Sequence, residues 1–72
     1  MLINQLQLNK TYTLKNNLHN TIENFKVMDK SISEMKLMNL STKMIKWYDM
    51  TELSNYMLIG ENNQTNKSLL LG

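Results

Sequence analysis

The chain has 72 residues, a net charge of +2, no cysteine, and 42% hydrophobic residues. That length allows one domain, which buries only about 60% of the surface its unfolded form exposes. The missing cysteines exclude disulfides and thiolate metal sites, so self-association is the expected extra source of stability.

All eight basic residues are lysines, so the residue best suited to bidentate phosphate or guanine contacts is absent. Eleven asparagines, with no arginine, alanine or proline, describe an AT-rich gene more than a function. There is no run of about 18 apolar residues and no basic-then-apolar leader, so no membrane span or signal peptide is read and a cytoplasmic location is expected.

In chain order, LQLNKTYTLKNN comes first. Leu6, Leu8, Tyr12 and Leu14 share one parity, and that period of two predicts a strand. Asn9 stands before Lys10 where a turn would need positive φ, which asparagine tolerates. NNLHNT follows as a polar loop with Leu18 as its one apolar anchor.

From Ile22 to Met50 two readings stay open. As strands, Phe25 and Val27 alternate with Lys26 and Met28, and DKS makes a turn. Met35 and Leu37 then alternate with Lys36 and Met38, NLST turns again, and Ile45 and Trp47 share a face against Lys46 and Tyr48. As a helix over 32–50, Ser31 and Glu34 form a capping box, and Ile32, Met35, Met38, Ile45 and Tyr48 lie near one face. Asn39, Ser41 and Thr42 interrupt that stripe, which favours the strands.

Asp49, with Glu52 three residues later, predicts a short capped helical turn, and MLI a last strand before Gly60. Residues 1–60 therefore read as a single small β domain. Residues 61–72 read as a polar, flexible tail whose leucine triplet would dock on the body or on a second copy.

This order of elements is similar to that of SH3-like small barrels. QLNKTYTLKNN, FKVMDKSISEMKLMNLSTKMIKWYDMTEL and NYMLIG resemble small proteins common in phages and mobile elements of low-GC bacteria. In those, a Gly-Lys-x-Tyr opening strand precedes a meander ending in a tryptophan segment and a tyrosine-containing last strand. The resemblance spans Leu6 to Gly60 and departs from the pattern at Asn9 and Lys43, where glycine is usual. It implies a mostly β fold, a small SH3-like five-stranded barrel or meander with one helical turn before the last strand. Most such proteins have no assigned activity, so it implies a setting more than a mechanism.

Chemistry needs a nucleophile, a base and an orienting group brought together. His19 is the single histidine and lies in the polar loop. No His-x-His, Glu-x-x-His or Cys-x-x-Cys spacing occurs, there is no glycine-rich phosphate loop, and the carboxylates are scattered. No catalytic residue, cofactor or metal is expected.

Binding remains. Trp47 and Tyr48, as strand neighbours, point to opposite faces. Trp47 is expected inward, closing the core with Leu53, Tyr56 and Ile59. Tyr48 is expected outward, sharing a face with Lys46 and Lys36 as a stacking surface with phosphate-neutralising charge. Asn16, Asn17 and Asn20 would add polar contacts from the loop. Lys26, Lys30, Lys36, Lys43 and Lys46, if gathered on one face, would form an anion site.

The expected function is that of a non-enzymatic phage-type counter-defence protein, an anti-CRISPR or a signal sponge. It would form a homo-oligomer and either sequester a nucleotide second messenger or block a host defence protein through a sheet edge, a step taken by analogy. The alternatives are a nucleic-acid-binding SH3-like module and a purely structural phage subunit.

Overall fold

The computed structural model describes residues 5–61. The tail expected beyond Glu61, with its leucine triplet, lies outside them.

The threonines, tyrosine and alternating leucine of TYTLKN make a good pleated, half-buried strand, and β1 spans Thr11–Asn16. Four further elements of the sheet follow: β2 (Thr21–Lys30), β3 (Glu34–Asn39), β4 (Ile45–Asp49) and, after the short helix α1 (Met50–Leu53), β5 (Tyr56–Glu61). All neighbours are antiparallel, in the order β4-β3-β2-β1-β5. The sheet therefore has two edges, β4 and β5, and is not closed into the expected barrel. The alternative helix over 32–50 is absent. Ser31 and Glu34 instead close the β2–β3 turn, where the Glu34 N–H donates to Ser31 Oγ at 3.0 Å and the Ser31 N–H to the Glu34 carbonyl at 2.9 Å.

The β1–β2 and β3–β4 turns use one device twice. Asn16 Oδ1 accepts the N–H groups of Leu18 and His19 at 2.9 and 3.2 Å, and Asn20 then takes φ 56. Asn39 Oδ1 accepts those of Ser41 and Thr42 at 2.8 and 3.2 Å, and Lys43 takes φ 65. These are side-chain-built turns of the kind asparagine favours. Asn9, at φ 64, provides the expected turn ahead of β1.

One face of the sheet carries the core of Leu6, Tyr12, Leu14, Phe25, Val27, Met35, Leu37 and Leu53. Leu6 reaches it from ahead of β1, whereas Leu8, of the same parity, is exposed because the chain turns at Asn9. Two irregularities bend the strands. Val27 pairs with Leu37 and Asp29 with Lys36, leaving Met28 unmatched. Thr13 pairs with Gly60 and Leu14 with Leu58, leaving Ile59 unmatched. Such bulges increase local twist and curl a sheet. The curl brings the edge strands close enough that Phe25, Tyr48 and Tyr56 meet edge to face, with ring centroids 6.0–6.1 Å apart.

Two expected core residues are corrected. Trp47 is 39% exposed and Ile59 51%. Ile45 and Trp47 do share a face, but β4 pairs Lys46 with Leu37 and Tyr48 with Met35, and opposite residues share a face. Tyr48 therefore packs inward and Trp47 faces out. Ile59 faces out because Leu58 pairs with the buried Leu14 and β5 alternates, exposing Met57, Ile59 and Glu61.

Candidate functional site

The loop after β1, the inner side of β4 and the exit of α1 meet at the mouth of the curled sheet. They enclose a pocket of about 300 Å³. Asn16, Leu18 and His19 line it from the β1–β2 turn, Lys46 and Tyr48 from β4, and Glu52, Asn55 and Tyr56 from α1 and the start of β5.

Each wall has a local cause. Asp49 caps α1 by accepting the Glu52 N–H at 2.8 Å, and Glu52 Oε1 accepts the Asp49 N–H at 3.4 Å, completing the expected capping box. This leaves Glu52 Oε2 3.1 Å from Lys46 Nζ, and the same ammonium lies 4.7 Å from the Tyr48 ring centroid. Asn16 donates from Nδ2 to the Tyr56 hydroxyl at 3.2 Å. The Asn17 N–H holds the Asn55 carbonyl at 2.7 Å, tying the loop to the helix exit.

The electrostatics follow from this packing. The hydrogen bond that Lys46 donates to Glu52, and then the negative charge of Glu52, raise the Lys46 ammonium above its ordinary value. Burial raises the Tyr48 phenol, Tyr56 adds to the rise, and Lys46 partly opposes it. The pocket therefore offers the Lys46 cation and the neutral Tyr48 phenol, beside the Tyr56 ring, the Glu52 side chain and the carboxamides of Asn16 and Asn55.

Of the expected contact residues, Asn16, Lys46 and Tyr48 come together here. Lys36 does not. It pairs with Trp47 on the outer face, its Nζ 5.8 Å from the indole centroid, so the two lysines expected on one face lie on opposite faces. Asn17 acts through its backbone and Asn20 holds the turn, both outside the pocket lining. The five-lysine anion face does not form either: Lys26 and Lys36 face out, Lys43 sits in a turn, and Lys30 donates to the Leu6 carbonyl at 2.8 Å.

Sequence reasoning treated Glu52 only as a cap, Tyr56 only as core and His19 only as a loop residue. The first two could have been placed by following the capping box across to β4. Asn55 carried no signal.

Among the described residues, no three of His, Cys, Asp and Glu cluster to hold a metal ion, and no helix is long and apolar enough to cross a membrane. Compared with known protein families, curated proteins and solved structures, the chain matches none.

Proposed function

We propose that the chain is a non-enzymatic binding protein that sequesters a small ligand combining a planar ring with an anionic group, a nucleotide being the simplest such molecule. The observation that carries this is the convergence of Lys46, Tyr48, Tyr56 and Asn16 on one pocket. Its volume of about 300 Å³ is at the small end of the roughly 300–1,000 Å³ usual for ligand sites. The tyrosine rings supply apolar faces, the carboxamides supply orienting hydrogen bonds, and Lys46 supplies the charge.

Lys46 is already paired with Glu52, but both side chains are about half exposed, and such pairs contribute little. Exchanging the carboxylate for a phosphate therefore costs little. The setting, sequestration of a signalling nucleotide on behalf of a phage or mobile element, rests on the sequence resemblance alone. The nucleic-acid alternative has less support, because Lys15, Lys26 and Lys36 share the outer face with Asp29, Glu34 and Asp49 and form no basic stripe.

The test is native mass spectrometry against linear and cyclic nucleotides, followed by calorimetric titration of whichever is retained. Lys46→Gln is expected to weaken binding about tenfold or more, the usual scale for a charged hydrogen bond. Glu52→Gln keeps the capping box and is expected to tighten binding by freeing Lys46. Retention of no nucleotide, or an affinity indifferent to Lys46, would overturn this reading in favour of a protein target.

A further inference from the structure

The turn after β1 fixes the direction of one hydrogen bond in the pocket. Asn16 Oδ1 is committed to the N–H groups of Leu18 and His19 at 2.9 and 3.2 Å, so the other end of the carboxamide, Nδ2, is the end that faces Tyr56. An amide nitrogen only donates, and the Tyr56 oxygen, 3.2 Å away, therefore accepts. The O–H of Tyr56 is left over. It has no acceptor among the described residues, and the Tyr48 hydroxyl makes no hydrogen bond with them at all.

Both tyrosines line the pocket with Lys46. Their oxygens lie near enough to act on the ammonium, since the charge of either phenol, once ionised, would raise Lys46. Three donors, Lys46 and Tyr48 from β4 and Tyr56 from β5, thus border one space. Glu52 is the only carboxylate there. It meets Lys46 through Oε2 and the Asp49 N–H through Oε1, and accepts from neither tyrosine.

We propose that Tyr48 and Tyr56 donate their hydroxyls, beside the Lys46 ammonium, to the oxygens of a phosphate ester, so that the pocket selects phosphate over carboxylate. This rests on the pocket taking an anionic ligand, and it names the anion. A carboxylate offers two oxygens in one plane, whereas a phosphate monoester offers three strong acceptors around a tetrahedron. Three donors on separate side chains suit the second. Burial, which holds the proton on Tyr48, keeps that residue a donor.

Phenyl phosphate and benzoate, which share a ring and differ in the anion, are the probes. Each is titrated into isotope-labelled protein, and binding is read from the amide signals of Leu18 and Asn55, with those of Ser31 and Glu34 as remote controls. Phenyl phosphate is expected to bind about tenfold or more tightly than benzoate, the scale of a hydrogen bond to a charged group. Tyr48→Phe removes a hydroxyl bonded to nothing among the described residues and keeps the ring. It is expected to bind phenyl phosphate about tenfold more weakly and to narrow the preference over benzoate. Tyr56→Phe should do the same, with unchanged circular dichroism showing that the fold survives loss of the bond from Asn16. If both variants hold phenyl phosphate as tightly as the wild type, or the wild type holds the two probes equally, the hydroxyl assignment is wrong while the pocket remains a ligand site. Binding of neither probe overturns it as well, and the nucleotide titrations then show whether the pocket's role as a ligand site falls with it.

Discussion

Tyr48 shows how one side chain couples the core to the site. Its ring stands edge-on to Phe25 and Tyr56, and burial lifts its phenol above the ordinary 10.0. The folded chain thus holds that proton more tightly than the unfolded chain. The resulting stability is complete below the unfolded value and is lost as pH rises through the folded one. Lys46, raised by Glu52, acts in the same direction, but it is too exposed to contribute much. Thermal melts should therefore be nearly constant from about pH 7 to about pH 9 and fall at higher pH. Tyr48→Phe, which keeps the ring, should lessen the fall; an equally steep fall would assign the effect to other groups. The sequence placed Tyr48 and Trp47 on opposite faces but assigned the faces the wrong way round. Size and hydrophobicity favour Ile45 and Trp47 as the inward set, and only the pairing with Met35 and Leu37 reverses that. A local pattern does not contain that register.

The elements were more legible, because they depend on short-range chemistry. The capping box at Asp49 and Glu52, the turn at Asn9 and the alternation around Met35 and Leu37 all correspond to structure. Lys43 is the instructive case. In the first of the twin turns the left-handed position is filled by Asn20, and in the second by a lysine. Left-handed backbone costs an ordinary residue about 1–2 kcal/mol, and asparagine is among those that tolerate it best. Lys43→Asn is expected to stabilise the fold by up to about 1 kcal/mol, read as a higher urea midpoint with an unchanged slope. A lower midpoint would mean that the lysine side chain makes a compensating contact. The Ser31/Glu34 pair shows the opposite difficulty. The same Ser-x-x-Glu spacing that announces a helix start here ties off a hairpin, and nothing within four residues distinguishes the two uses.

At the largest scale, eight buried side chains hold five strands among the described residues, and a flat sheet would leave them half covered. The strand count and order of elements were legible. The curvature, and with it the pocket, was not, because a bulge is defined by two strands at once. Neither Met28 nor Ile59 looks unusual in its own segment. Yet Met28 has an unusual freedom: no partner strand counts it. Removing any ordinary residue from the middle of β2 would send every side chain beyond it to the wrong face. Removing Met28 leaves Val27 opposite Leu37, Asp29 opposite Lys36 and Lys30 opposite Met35. A chain lacking Met28 is therefore expected to fold with a straighter β2, whereas one lacking Lys26 is not, as circular dichroism and amide dispersion would show. If both deletions unfold the chain, the bend itself is indispensable. If only the second does, β2 contains a point where a codon can be lost or gained without changing which side chains face the core.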